Sequence, residues 1–362
     1  MKPLRLIADD LTGALDSAAQ FAAPGREIPV YLGHTLPARL PTEFAMDSAS
    51  REGEAGAAVA IAARLAPLLA PENGAISFRK VDSLLRGHPG LVLAATLDTL
   101  RAAHCMLAPA FPFHGRVTRG GLQYVLRKGA WERAGEDIRA TLESRGLPVS
   151  LARPGDPVPR GISLWDAESD DDLRRIALSG SVLGEPVLWC GSGGLAAALA
   201  APGSAPLPVS GIGRPMLGLV GSDHPVTEAQ LCACGVLVLR EGGAAEASRV
   251  SDVMEERGSC LVRFDLPRGV SRAGASEHIA RGISGLTRHL RQPRSLLVVG
   301  GETLRSLCLS LGTDHLCVVG QILPGVPVSC MVGGRWDGAE VVSKSGAFGD
   351  ETLLLWISSP KE

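Results

Sequence analysis

Short apolar runs that stop at glycine and resume as alanine-rich helical text constrain this chain more than any other feature. Val187-Leu188-Trp189-Cys190 runs into Gly191-Ser192-Gly193-Gly194-Leu195-Ala196, which reads as a strand, a tight turn and the start of a helix. The same order opens the chain, where Leu4-Arg5-Leu6-Ile7-Ala8 reads as a short buried strand and 13–23 as a helix with small apolar residues on its inner face. A second alanine-rich helix is predicted over 54–65. Strands alternating with helices call for βα units and a mostly parallel sheet with helices on its faces.

The text changes over 201–215, Ala-Pro-Gly-Ser-Ala-Pro-Leu-Pro-Val-Ser-Gly-Ile-Gly-Arg-Pro, which neither a helix nor a central strand tolerates. At 362 residues the chain exceeds one domain of about 100–200 residues, so a boundary is placed there, between domains at 1–205 and 214–362. The stretch 145–161 is also rich in proline and glycine and reads as a loop or insertion. Beyond the boundary, strands are expected at 216–220, 235–239, 295–299 and 316–319. A helix over 276–291 would align Ile279, Ile283, Leu286 and Leu290, and another would run from the Thr303 corner to about 311. The fold class that follows is α/β, two domains each with a mostly parallel sheet flanked by helices.

Composition narrows the function. With 45% hydrophobic and 20% charged residues the chain is globular rather than disordered. A net charge of −2 offers no basic surface for a nucleic acid. Asp9 and Asp10 interrupt any signal-like apolar stretch, and no run approaches the ~20 residues of a membrane span, so a cytoplasmic protein without a membrane partner is expected. The eight cysteines follow no disulfide or zinc spacing and are expected as reduced core thiols.

Four segments carry more polar detail than a core requires. Asp9, Asp10, Thr12 and Asp16 fall just after the first strand, the edge where open α/β sheets bind ligands. Two adjacent carboxylates there can hold a cation, accept a hydroxyl proton or orient a polyol, though a helix cap would also use Asp10 or Thr12. Lys80 and Arg86 flank Asp82 and Ser83, supplying fixed cations for a carboxylate or phosphoryl group. Gly221-Ser222 and Gly300-Gly301-Glu302-Thr303 lie at strand-to-helix corners, and Lys344-Ser345-Gly346 opens a further glycine-rich loop with a cation. Three such corners in one domain suggest a nucleotide clasp, since phosphate oxygens can reach backbone N–H groups where side chains are missing. Arg116 is a better ligand contact than its neighbour His114, which reads as an ordinary loop residue. The P-loop pattern is absent. The Gly191–Ala196 run fits a dinucleotide fingerprint but lacks the acidic ribose ligand about 20 residues on, which argues against a dehydrogenase.

Together these segments resemble the four-carbon acid sugar kinase family, whose members phosphorylate erythronate, threonate or 3-oxo-tetronate with ATP. The resemblance is carried, in order, by the runs beginning at Ala8, Lys80, Ala108, Gly191, Gly221, Gly300, Pro324 and Lys344. It implies a sugar-acid-binding N-terminal domain, a nucleotide-binding C-terminal domain and an active site in the cleft between them. On it, Ser222, Gly300, Gly301, Glu302, Thr303 and Gly346 become ATP contacts, with Lys344 beside them. Thr12, Asp16, Ser83 and Arg116 fall on the sugar-acid side. The expected chemistry is transfer from Mg2+-ATP to the terminal hydroxyl. Asp9 or Asp10 would serve as base or metal ligand, Asp82 would orient, and Lys80 and Arg86 would hold substrate carboxylate or phosphate. The metal's ligand set is left unassigned, and a homodimer is compatible with the sequence. The chain departs from the family's text at Arg79, where a lysine is usual, at Leu84 for threonine and at Asp223-His224, and Asp47-Ser48-Ala49-Ser50-Arg51 only loosely echoes an Asp-Thr-x-Ser-Arg pattern. A catalytically silent binding protein on the same fold is the rival expectation.

Overall fold

The computed structural model describes residues 2–33, 37, 39–72, 74–200, 207 and 211–359. Most of the predicted linker, 201–206 and 208–210, therefore lies outside the described residues. The chain divides into two compact units, Met1–Ser204 and Ala205–Glu362.

Unit 1 contains strands β1 (Leu4–Ala8), β2 (Ile28–Leu32), β3 (Phe44–Asp47), β4 (Ile76–Lys80), β5 (His104–Ala108), β6 (Arg116–Arg119), β7 (Leu122–Arg127), β8 (Ala130–Arg133), β9 (Val149–Ala152), β10 (Gly161–Trp165) and β11 (Val187–Gly191). Its helices are α1 (Leu11–Phe21), α2 (Ala55–Leu65), α3 (Pro89–Leu100), α4 (Ile138–Ser144), α5 (Asp170–Ser181) and α6 (Gly193–Leu199). Eight strands form an all-parallel run in the order β2-β3-β1-β4-β11-β5-β10-β9. Helices α1, α5 and α6 pack together, as do α2, α3 and α4. The strands read as unbroken apolar runs because both sheet faces are covered. Ile7, Met46, Leu93, Leu107, Leu142, Leu164 and Leu188 share one core.

β1 lies between β3 and β4, so successive connections leave it in opposite directions. That reversal opens a crevice at the carboxyl ends of the strands, the place where doubly wound sheets bind ligands.

Unit 2 contains β12 (Met216–Val220), α7 (Pro225–Cys232), β13 (Val236–Leu239), α8 (Ala244–Arg257), β14 (Ser259–Phe264), α9 (Arg272–His289), β15 (Ser295–Val299), α10 (Gly301–Leu311), β16 (His315–Leu323), β17 (Val326–Val332), β18 (Glu340–Lys344) and α11 (Leu353–Ser358). Strands β13-β14-β12-β15-β18 are parallel in that order, and β17 and β16 continue antiparallel. Here β12, between β14 and β15, is the point of reversal.

Several expectations need correction. The stretch 145–161 is not merely a loop, because Val149–Ala152 pairs with β10 as the sheet's edge strand. α9 begins four residues ahead of the expected 276, capped by the Ser271 hydroxyl on the Gly274 N–H. β16 runs on to Leu323 as one arm of a hairpin rather than stopping at 319. The antiparallel sheet β6-β7-β8 was not anticipated at all. Its turns, Gly120-Gly121 and Lys128-Gly129, have positive φ at both positions, the requirement of two-residue hairpin turns, so glycine was the overlooked signal. Of the eight cysteines Cys232 is exposed and Cys234, Cys317 and Cys330 are half-buried, so only Cys105, Cys190, Cys260 and Cys308 lie in the core. Among the described residues no helix is long and apolar enough to cross a membrane.

Candidate active site

In unit 1 the carboxyl ends of β1, β3 and β4 bring together residues far apart in the chain. Asp10 caps α1: its Oδ1 accepts from the Gly13 N–H at 3.0 Å and its Oδ2 from the Thr12 hydroxyl at 2.6 Å. The capping role does not exhaust it, because Arg51 Nη1 lies 2.7 Å from the same Oδ2. Arg51 also makes a two-pronged pair with Asp9, 2.8 Å on each prong, and reaches Asp82 at 3.5 Å. One guanidinium thus joins three carboxylates, two from the turn after β1 and one from the loop after β4. Arg51 can do so because β3 pairs directly with β1, placing the turn after Asp47 beside Asp9.

Asp82 is the second centre. Its carboxylate accepts from Arg86 Nε and Nη2, each at 2.8 Å, and from the backbone N–H groups of Leu84 and Arg86 at 3.1 and 3.2 Å. Burial alone would raise its pKa, but Arg51 and Arg86 outweigh burial and hold it far below the usual carboxylate range. Asp10 is likewise held low by Arg51 and Lys80 against the effect of burial, and Arg51 is held well above the ordinary arginine value by its three acids. Lys80 is buried, and its Nζ lies 2.8 Å from where a side chain on Gly13 would begin. Only glycine lets the start of α1 approach that ammonium.

The remaining predicted residues gather here too. Ser83 Oγ accepts from Arg116 Nη1 at 2.6 Å. Burial lowers Arg116 to about 10. Asp16 is buried on α1, its Oδ2 2.4 Å from where a side chain on Gly193 would begin. Leu84 gives Asp82 a backbone N–H that any residue supplies, so loss of the family's threonine does not remove that bond.

Two residues left out of the sequence-based site belong to it. Arg51 was visible only as the end of a loose motif, and its partners depend on long-range strand pairing. Arg79, 1% exposed beside Asp9, has no hydrogen-bond partner for Nε or Nη2 among the described residues, and burial lowers its pKa despite the pull of Asp9.

In unit 2 the corners after β12, β15 and β18 converge, as those strands are neighbours. A side chain at Gly221 would begin 2.0 Å from Thr303 Oγ1, and one at Gly346 would begin 1.9 Å from Ser222 Oγ. Gly300, with φ of 111°, occupies the N-cap of α10, a conformation side chains rarely permit. Its N–H donates to the Lys344 carbonyl at 3.0 Å, tying the second corner to the third. Glu302 is exposed in the first turn of α10 and Thr303 is buried. Lys344 is 1% exposed, and its Nζ has no partner among the described residues. Burial pushes it down to about 7. A buried cation without a counter-ion at three glycine corners fits the phosphates of a nucleotide. Asp223 and His224 stay exposed, and His224 Nδ1 caps α7 by accepting from the Val226 N–H at 3.2 Å.

The acidic cluster does not fit a protein-held metal. Asp9, Asp10 and Asp82 are each occupied by guanidinium groups, and among the described residues no group of three His, Cys, Asp or Glu side chains is arranged to hold one.

Comparison with known proteins finds two domain families in the chain. Residues 4–144 match a sugar-binding N-terminal domain and 217–354 a nucleotide-binding C-terminal domain. The chain is 30% identical to the D-threonate kinase of Cupriavidus necator, over 96% of this chain and 95% of that one. It is 27% identical to the 3-oxo-tetronate kinase of Pseudomonas fluorescens, over 96% and 94%. A crystal structure of a Salmonella typhimurium protein shares the fold, with a TM-score of 0.73 and 18% identity over 98% of each chain. Loops, strand-end geometry and both domain matches converge on one conclusion: the chain belongs to the four-carbon acid sugar kinase family.

Proposed function

We propose that this protein is a cytoplasmic kinase that transfers the γ-phosphoryl group of ATP to the terminal hydroxyl of a four-carbon sugar acid. The observation that carries the reading is the match of its halves to a sugar-binding and a nucleotide-binding domain, each with its predicted loops at the carboxyl ends of adjacent strands. Ser222, Gly300, Gly301, Thr303 and Gly346 would cradle the phosphates with backbone and hydroxyl groups, Lys344 would supply the charge, and Glu302 would stand at the rim.

On the acceptor side the substrate's carboxylate would compete for Arg51, Lys80, Arg86 or Arg116, with Thr12, Asp16 and Ser83 orienting hydroxyl groups. Phosphoryl transfer needs positioning and charge stabilisation more than covalent chemistry, which suits a cluster of fixed ions. A carboxylate acting as base must be released from its arginine. Asp9 and Asp10 share Arg51, so a substrate anion that draws Arg51 away frees them, whereas Asp82 keeps Arg86 and remains the orienting group. Magnesium would come with the nucleotide, since the acidic cluster supplies no ligand set for it.

A coupled assay for ADP over D-threonate, D-erythronate and 3-oxo-tetronate tests the proposal. Turnover with one of them and none with five- or six-carbon acids is expected. Mg2+-ATP binding without turnover on any acid would instead support a silent binding protein.

A further inference from the structure

We infer that Gln123 is a positioning residue for the acceptor side of the site, and that the small sheet β6-β7-β8 serves as a clamp on the loop from Asp82 to Arg86. The inference rests on the function proposed above.

Gln123 lies on β7 and is 1% exposed. Its Nε2 donates to the Ser83 carbonyl at 2.7 Å and, at a longer 3.4 Å, to the Pro109 carbonyl. Its Oε1 accepts from the Thr118 hydroxyl at 2.8 Å, and Thr118 stands opposite it on β6. That bond fixes which end of the amide faces Ser83. From the same sheet Arg116 holds the Ser83 hydroxyl. Ser83 is therefore gripped through both its carbonyl and its side chain.

A third contact closes the clamp. Gly135, two residues past β8, comes so near the loop that a side chain there would begin 2.3 Å from the Leu84 carbonyl and 2.5 Å from Leu85 Cβ. The loop needs such support because Leu85 holds a φ of 54°, a conformation non-glycine residues resist. It is also the loop that aims the Asp82 carboxylate and the Arg86 guanidinium.

The sheet has features that packing alone does not explain. Every residue of β8 is exposed, Trp131 among them, as is Leu126 on β7. Where the sheet is most deeply buried it presents Thr118 and Gln123, the Thr118 hydroxyl bonded to Gln123 and Gln123 bonded to Ser83. Its far side is anchored by the Asp166 carboxylate, which accepts from the N–H groups of Gly120 and Gly121, and by pairing of Thr118 with Ala167. A polar pair in the most protected position, fastened at both ends, specifies geometry more than it adds stability.

Gln123→Met keeps the side chain's length and removes both of its hydrogen-bonding roles. It should lower kcat/KM for the sugar acid by about tenfold or more while leaving KM for ATP within about twofold, because only the acceptor loop shifts. Thr118→Val should act in the same direction more weakly, and Thr118→Ser should restore wild-type values. That pair carries the test if Gln123→Met does not fold. Sugar-acid kcat/KM within about twofold of wild type in both Gln123→Met and Thr118→Val would overturn the inference, as would equal losses for the two substrates. If wild-type protein turns over no four-carbon acid, the proposed function fails, and the clamp is then judged by hydrogen exchange. Faster exchange at the Leu84 and Arg86 amides in Gln123→Met supports it, and unchanged exchange refutes it.

Discussion

Nucleotide binding should draw a proton from solution, and Lys344 is where that proton should go. The ammonium is 1% exposed, has no partner among the described residues, and is lowered by burial from 10.5 to about 7. That difference corresponds to about 5 kcal/mol of unfavourable charge burial, an order-of-magnitude figure, at ~1.36 kcal/mol per pH unit. Asp223, His224, Glu302 and Asp350 are the other titratable groups on the surrounding corners, and none pairs with it. At about pH 8 roughly nine-tenths of the molecules would hold Lys344 neutral. A triphosphate placed against it restores the charged form, so binding should take up about 0.9 proton at that pH and progressively less below pH 7. The linked affinity should fall about fivefold between pH 7 and pH 8 and nearly tenfold over the next unit. Without nucleotide the sign follows from the depressed folded value. Burial of this charge costs nothing above 10.5 and its full amount below about 7, so this group makes the free protein more stable as pH rises across that window. Calorimetric titration with a non-hydrolysable ATP analogue, in two buffers of different ionisation enthalpy, measures the uptake directly. Uptake below about 0.2 proton near pH 8 with binding intact, or undiminished uptake in Lys344→Met, would refute the reasoning.

Three further variants have expected outcomes. Gly346→Ala places a methyl group 1.9 Å from Ser222 Oγ and should weaken ATP binding at least about tenfold, with sugar-acid binding by thermal shift unchanged. Asp82→Asn removes one partner from a buried ion network and should cost about 3–5 kcal/mol in urea unfolding. The same variant should lower turnover about a hundredfold or more with nucleotide affinity intact, and parallel loss of both would contradict the assigned division of labour. Arg51 helps hold Asp10 and Asp82 below the ordinary value of 3.8, so their contribution to stability is present above that pH and is lost as pH falls below it. Arg51→Met should therefore move the acid-unfolding midpoint, followed by circular dichroism, to higher pH.

The residues legible beforehand were those whose chemistry is announced by immediate neighbours. Asp9-Asp10 follows an apolar strand, and the glycines at 221, 300 and 346 follow others, so strand ends and ligand loops could be read together. Arg51 was not legible in the same way, because its partners come from the turn after β1 and the loop after β4, joined only once β3 lies beside β1. Gln123 was hidden because its whole module went unread: the two glycine-containing turns that bound the six residues of β7 were passed over. The edge strand at Val149–Ala152 was lost to the prolines and glycines around it, since an edge needs only one partner and little apolar text. Burial of Lys344 was also out of reach, as a lysine at a strand end is ordinarily solvated.

The acceptor cluster is nearly self-neutralising. Arg51, Arg79, Lys80, Arg86 and Arg116 stand against Asp9, Asp10, Asp16 and Asp82, most of them buried, a formal excess of one positive charge. Such a nearly balanced set projects little field past a Debye length of about 8 Å, so a small anion diffusing nearby is hardly steered toward it. Capture then depends on exchanging ionic partners at contact. The encounter rate should be almost indifferent to added salt, and discrimination among acids should be exercised through how long each one stays.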